Sequence, residues 1–369
     1  MNRSSLLSVS RHYLATRSAG IVAAMDITPV RNVSRPGTDP GHPPVATPRP
    51  QTHGDHPVDR PVVLSVRALR CRYGTFEAVR GIDLTVRRGE LFALLGTNGA
   101  GKTTTLETLE GHRRAHDGHV EVLGVDPFAE RRRLAARIGL VFQSSGLPAG
   151  LTPREVLGLW PRLTPSAARH LAVDDVLARI ELDHRADVRI GALSGGERRR
   201  LDLGLALIND PELIFLDEPT AAMDPEARLR TWRILRELLA DGVTVVLTTH
   251  ELEEAEALAD RIAIMHDGLL AATGTLAELV ATHPAVIAAR LPHGAPPLPD
   301  LGGHVEHDVD RRLRIETRHL QRDLTALLLW SRDHGVRLDD LQATEASLAQ
   351  VFHAIAGHGP STDGQEAPR

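Results

Sequence analysis

Apolar positions fall into short runs and alternations divided by glycine and polar turns, and from residue 61 to 282 they predict strands alternating with helices. Residues 62–66 read as a strand, and 78–86 as a second with Ile82, Leu84 and Val86 on one face. Leu91-Phe92-Ala93-Leu94-Leu95 is unbroken and apolar, as a strand buried on both faces must be, and helical spacing follows at 105–110. Further strands are predicted over 120–123, 138–142, 213–216, 243–247 and 262–265, the last leading into an Asp267-Gly268 hairpin turn. Helices are predicted over 128–137, 196–208, 226–240, 251–259 and 276–280. Residues 153–190 carry helical periods without strand signals and read as an all-helical insertion. The alternation implies an α/β fold: a mainly parallel sheet covered on both faces, with a small antiparallel sheet at its start.

The flanks differ. Residues 1–60 hold Pro29, Pro36, Pro40, Pro43, Pro44, Pro48, Pro50 and Pro57 in a polar run without apolar period, and read as a disordered extension, with Met25 as an alternative start. Arg3, Arg11 and Arg17 precede any acid, but the unbroken apolar centre of a secretory signal is missing. Past His283 comes the run His293-Gly294-Ala295-Pro296-Pro297, then a strand over 312–316 and helices over 320–335 and 345–356. Residues 283–357 are thus expected to form a small α+β appendage, and 358–369 a tail.

Composition narrows the function classes. A net charge of −5 gives no reason to expect a nucleic-acid partner, and one cysteine, Cys71, rules out an internal disulfide. No stretch approaches the roughly 18 unbroken apolar residues of a membrane span. If the protein works at a membrane, another polypeptide supplies the spans.

The chemistry concentrates in three motifs. Gly96-Thr97-Asn98-Gly99-Ala100-Gly101-Lys102-Thr103-Thr104 joins a buried strand to a helix. Its glycines let backbone N–H groups approach a β-phosphate at a positive helix end, Lys102 can reach the β- and γ-phosphates, and the Thr103 hydroxyl can hold Mg²⁺. Lys102 is the sole lysine among 43 basic residues. A chain so biased to arginine keeps an ammonium where a compact point charge among phosphates is needed. Leu213-Ile214-Phe215-Leu216-Asp217-Glu218 delivers two carboxylates at the C-terminal edge of a strand, where open α/β sheets bind ligands. Asp217 suits Mg²⁺ coordination, and Glu218 suits a general base or water-orienter. Leu193-Ser194-Gly195-Gly196-Glu197 places a hydroxyl and unencumbered amides at another helix start.

These motifs, in this order, resemble the nucleotide-binding subunit of an ATP-binding cassette (ABC) transporter, a P-loop NTPase, over roughly residues 62–280. The resemblance implies ATP and Mg²⁺ as cofactors and further site residues. Tyr73 resembles the aromatic that stacks on adenine, though a tyrosine of the core would read the same way. Gln143 resembles the glutamine that touches Mg²⁺ and the attacking water, and His250 the histidine at the γ-phosphate. Asp224, in Ala221-Ala222-Met223-Asp224-Pro225, resembles the aspartate that faces the second subunit, with Ala222 where a glycine is usual. Ser194 and Gly196 would complete the opposite subunit's site, so a homodimer or paired cassette is implied. So is a separate multi-span permease, at the cytoplasmic face of the cell membrane.

Glu197-Arg198-Arg199-Arg200-Leu201-Asp202-Leu203 and Glu345-Ala346-Ser347-Leu348-Ala349-Gln350-Val351-Phe352 are similar to the drug-resistance, daunorubicin-type exporter ATPases. A soluble ABC ATPase acting on ribosomes or DNA is the alternative. Against it, there is one cassette, and about ninety residues without heptads separate the phosphate loop from the serine-glycine motif. The runs 198–200 and 131–133 read as solvated helix faces. His112, His116 and His119 lack the cysteines or paired acids of a metal site.

Overall fold

β3 (Leu91–Gly96) is buried along its whole length, which its unbroken apolar run requires. It pairs in parallel with β7 (Thr244–Thr249) on one side and β8 (Arg261–His266) on the other. β6 (Leu213–Asp217) pairs with β7, and β5 (Ile138–Val141) with β6, again in parallel. β9 (Leu269–Gly274) returns antiparallel from the Asp267-Gly268 turn, giving the order β5-β6-β7-β3-β8-β9. The C-terminal ends of β3, β5, β6 and β7 therefore open on one edge of the sheet. The structure, a computed structural model, describes residues 60–144, 146–163, 169–308 and 312–357.

A second, antiparallel sheet has the order β2-β1-β4, from β1 (Val62–Tyr73), β2 (Phe76–Arg87) and β4 (Asp117–Val122). β1 runs well past the predicted 62–66. A bulge explains the early stop. Ala68 takes φ +49, its N–H donates to Asp83 Oδ1 at 2.9 Å, and the register shifts between Val66 and Leu69, breaking the period of two. α1 (Lys102–Leu109) packs on β2, β3, β4, β6 and β7, and the core runs continuously from Leu64 and Val79 through Leu106 to Phe215.

α2 (Arg131–Ala135) is shorter than the predicted 128–137, because Asp126 Oδ1 accepts from the N–H groups of Phe128 and Ala129 and holds them in a turn. Its arginines are exposed, as read from the sequence. In the insertion, α3 (Pro153–Leu163), α4 (Val173–Arg179) and two single-turn 3₁₀ helices are joined by no strand among the described residues. α5 (Gly195–Leu207) packs on β5; α6 (Pro225–Ala240) and α7 (Leu252–Leu258) pack on each other. α8 (Leu276–Ala281) follows β9 behind a capping box, Thr275 with Glu278.

Residues 285–344 form a four-stranded antiparallel sheet of order β11-β12-β10-β13, from β10 (Ala285–Arg290), β11 (His304–His307), β12 (Arg312–Thr317) and β13 (Asp339–Thr344). Sequence reading anticipated β12 but not the other three. α9 (Leu320–Asp333) covers this sheet, with Leu327 and Trp330 against Ile287, Leu313 and Ile315. α10 (Leu348–Gly357), expected over 345–356, returns to pack on α7, α8 and β8, burying Leu348 and Val351.

By contacts the chain divides into a larger unit, residues 61–143 and 149–369, and a smaller one, residues 1–60 and 144–148. The smaller unit's described residues form no helix or strand. The expectations for the N-terminal extension up to residue 59 and for the 358–369 tail lie outside the described residues.

Candidate nucleotide site

The loop after β3 is shaped for close approach. A Cβ on Gly96 would stand 2.5 Å from the Met265 carbonyl, and one on Gly101, at φ +103, 2.5 Å from that of Ala78. Thr97, Asn98 and Gly99 are exposed at the crest, and Ala100 is buried beneath them. Gly101 caps α1 without a side chain, so the first-turn amides point into the loop. Lys102 folds over it, Nζ donating to the carbonyls of Gly96 at 2.7 Å and Thr97 at 3.2 Å. Burial pulls its pKa down, against the opposing pull of Glu218 and Asp217. Thr103, next along α1, is exposed, while Thr104 is buried.

The neighbouring strand ends supply the acids. Asp217 is buried at the end of β6, its Oδ1 accepting from Thr248 Oγ1 at 2.6 Å. Glu218 follows in left-handed backbone, φ +47, with its N–H donating to the Thr248 carbonyl at 2.9 Å. Gln143 Nε2, just past β5, donates to Glu218 Oε2 at 2.8 Å, and His250 Nδ1, just past β7, lies 3.0 Å from Oε1. Four residues predicted from three separate stretches thus meet at one sheet edge with the phosphate loop. Oxygen donors dominate: the Thr103 hydroxyl, the Asp217 and Glu218 carboxylates and the Gln143 amide. That set fits a hard cation such as Mg²⁺.

Tyr73 ends β1 and is 42% exposed, outside the core. Its hydroxyl shares a hydrogen bond with Thr104 Oγ1 at 3.2 Å, and the Arg113 guanidinium lies 4.0 Å from its ring centre. Arg113 Nε in turn donates to Glu107 Oε2 at 3.2 Å. Ser194 and Glu197 form a capping box at the start of α5: Ser194 Oγ accepts from the Glu197 N–H at 3.2 Å, and Glu197 Oε2 from the Ser194 N–H at 2.8 Å. Burial pushes the Glu197 carboxyl up, but the Ser194 amide and Arg185 outweigh it and leave it below the ordinary value. Ser194 and Gly195 are exposed, and a Cβ on Gly196 would stand 3.0 Å from that of Ala227, one turn into α6. Asp224 is the exposed N-cap of α6, Oδ1 accepting from the Ala227 N–H at 2.9 Å. The exposed faces of both motifs are thus brought side by side.

The ABC transporter family profile matches residues 79–221. A daunorubicin resistance ATP-binding protein of Streptomyces coeruleorubidus is 37% identical over 304 residues, spanning 80% of this chain and 96% of the relative. The chain belongs to the ABC transporter ATP-binding family. The cassette is accordingly an ATPase on a P-loop NTPase fold. The Nod factor export ATP-binding protein I of Ralstonia nicotianae is 42% identical over 223 residues, 60% of this chain and 69% of that one. Residues 285–347 match the C-terminal domain of an ABC transporter domain-containing protein-like family.

Among solved structures, an ATP-binding subunit of an ABC transporter is 27% identical at a TM-score of 0.53, covering 60% of this chain and 92% of that one. A dimeric cassette in a post-hydrolysis state with ADP and phosphate is 25% identical at 0.51, covering 58% and 98%. No helix among the described residues is long and apolar enough to cross a membrane.

Arg198-Arg199-Arg200 is not a solvated face: only Arg198 is exposed. Arg200 is buried and its Nε donates to the Ile180 carbonyl at 3.1 Å. Arg199 turns inward to backbone carbonyls, and burial pulls its pKa down against the pull of Asp202 and Asp217. The signal was available in the helical period, since Arg199 and Arg200 share the inward stripe with Leu203, Gly204, Ala206 and Leu207. Thr248 and Arg113 were also missed; neither lies in a motif. His112 pairs with Glu110 at 2.9 Å, and no group of three His, Cys, Asp or Glu side chains placed to hold a metal ion occurs among the described residues.

Proposed function

We propose that this cassette powers export of a drug or other small amphiphile through a separate multi-span membrane protein, acting as a dimer at the cytoplasmic face of the membrane. The observation that carries the reading is the Glu218 carboxylate, held by Gln143 and His250 beside the phosphate loop. In this reading Tyr73 stacks on adenine, and the amides of residues 96–104 hold the phosphates. Lys102 places its charge between the β- and γ-phosphates. Glu218 takes the proton of the attacking water, Gln143 orients that water, and His250 contacts the γ-phosphate. Thr103, Asp217 and Gln143 would hold Mg²⁺, whose charge neutralises the phosphate oxygens when bound.

Ser194, Gly195 and Asp224 face outward, and with Gly196 and Glu197 they complete the site of a second copy, so that ATP is capped across the dimer. Export of a drug-like cargo is supported by similarity to the daunorubicin resistance protein over nearly all of that relative's length. The test is co-expression with a candidate permease, followed by ATP-dependent anthracycline uptake into inside-out vesicles. Uptake that needs both proteins and is lost in Glu218→Gln supports the reading. A chain that sediments with ribosomes and never with a membrane protein overturns it in favour of the soluble alternative.

A further inference from the structure

One largely buried guanidinium ties together segments that are distant in the chain. Arg199 Nη1 donates to the Phe142 carbonyl, Nη2 to those of Asp217 at 2.8 Å and Glu218 at 3.0 Å, and Nε to that of Pro219 at 2.9 Å. Its pairing with Asp202 is long, 3.9 Å, so its donors are directed mainly at backbone. Phe142 directly precedes Gln143, and Asp217, Glu218 and Pro219 are the end of β6 and the turn after it. Arg199 itself lies on α5, the helix that begins at the Ser194 cap.

What is held matters. Glu218 has φ +47, a conformation that side-chain-bearing residues avoid and that persists only where the surroundings over-determine it. The surroundings are visible here: Thr248 accepts from the Glu218 N–H on one side, and Arg199 donates to the Glu218 carbonyl on the other. Without the second anchor the peptide after Glu218 is free to rotate toward an ordinary conformation, and the carboxylate moves with it. A lysine cannot replace the anchor fully, since an ammonium is a point charge and lacks the planar fork that spans several carbonyls.

We infer that Arg199 is a positioning residue for hydrolysis: it locks Glu218 in its left-handed turn, fastens Phe142 and Gln143 beside it, and makes the helix carrying Ser194 and Gly196 move together with the carboxylate. The inference rests on the ATPase reading of the site. It explains why Arg199, within the run of arginines directly behind the serine-glycine motif, turns inward.

The test compares the full chain with Arg199→Lys and Arg199→Gln, measuring kcat, KM for Mg-ATP, binding stoichiometry for a non-hydrolysable ATP analogue and thermal melting. Arg199→Gln is expected to lower kcat about 100-fold and Arg199→Lys about tenfold, with KM within about threefold and stoichiometry unchanged. Should Arg199→Gln not fold, Arg199→Lys carries the comparison. Variant kcat values within about twofold of the unaltered chain overturn the inference, as does a loss matched by an equal loss of binding stoichiometry, which would mark a merely structural role. Failure of the ATPase reading itself would appear elsewhere, as absent turnover in the unaltered chain.

Discussion

Gln143 donates its side-chain N–H to Glu218 at 2.8 Å across the ends of two adjacent strands, while His250 meets the other carboxylate oxygen at 3.0 Å. Both oxygens of the expected base are therefore oriented by neighbours. Glu218→Gln keeps the size of the side chain and removes its basicity. Turnover is expected to fall by about 10²–10³ while ATP stays bound. Size-exclusion chromatography with Mg-ATP should then show a trapped dimer, and normal hydrolysis by this variant would refute the role given to Glu218.

Lys102 is buried, with its ammonium against the Gly96 and Thr97 carbonyls. Burial lowers its pKa, so the fold disfavours the charged form and the ammonium adds little to stability in the absence of a ligand. Lys102→Ala is expected to weaken Mg-ATP binding at least about 100-fold, roughly 2.7 kcal/mol, by isothermal titration. Its melting temperature without nucleotide should stay within about 2 °C of the unaltered chain. Undiminished ATP affinity would count against the phosphate-loop assignment.

The cassette was legible because its buried strands are continuous apolar runs ending in candidate site residues: Leu91-Phe92-Ala93-Leu94-Leu95 before the glycine loop, and Leu213-Ile214-Phe215-Leu216 before Asp217. The edge strands near the C-terminus were not. β13 is exposed at every residue and β11 at all but Val305, so neither shows the period of two that burial of one face imposes. The site was legible where chemistry sits in a motif and illegible where it depends on backbone brought close by folding. Arg199 reaches carbonyls 18 to 57 positions away, and no local pattern announces such partners.

Ala222 sits at φ +58 on the exposed turn before Asp224, the left-handed conformation that a glycine would take without strain. Left-handed backbone costs a side-chain-bearing residue about 1–2 kcal/mol, and the extra unfolded-state freedom of glycine returns about 0.5–1 kcal/mol of that. Ala222→Gly should therefore stabilise by a few tenths to about 1 kcal/mol, raising the melting temperature by about 1–4 °C. A drop of similar size would show that the turn is held by contacts the backbone angles do not reveal.

Glu254 is fully buried on α7, and its Oε1 accepts from Thr220 Oγ1 at 2.7 Å, joining the helix after His250 to the turn after Glu218. Burial pushes its carboxyl above the ordinary value, against the pull of Thr220, Thr249 and Trp232. A raised carboxyl binds its proton more tightly folded than unfolded. Its contribution to stability is thus fully present below the unfolded value, falls as pH rises through the raised folded value, and is flat above that. Glu254→Gln mimics the protonated form and keeps an acceptor for Thr220. Its melting temperature relative to the unaltered chain should be similar near pH 4 and climb as the pH rises above the ordinary carboxylate range, by about 2–4 °C for each kcal/mol recovered. A difference that stays constant across that range would mean the buried carboxyl does not titrate in it.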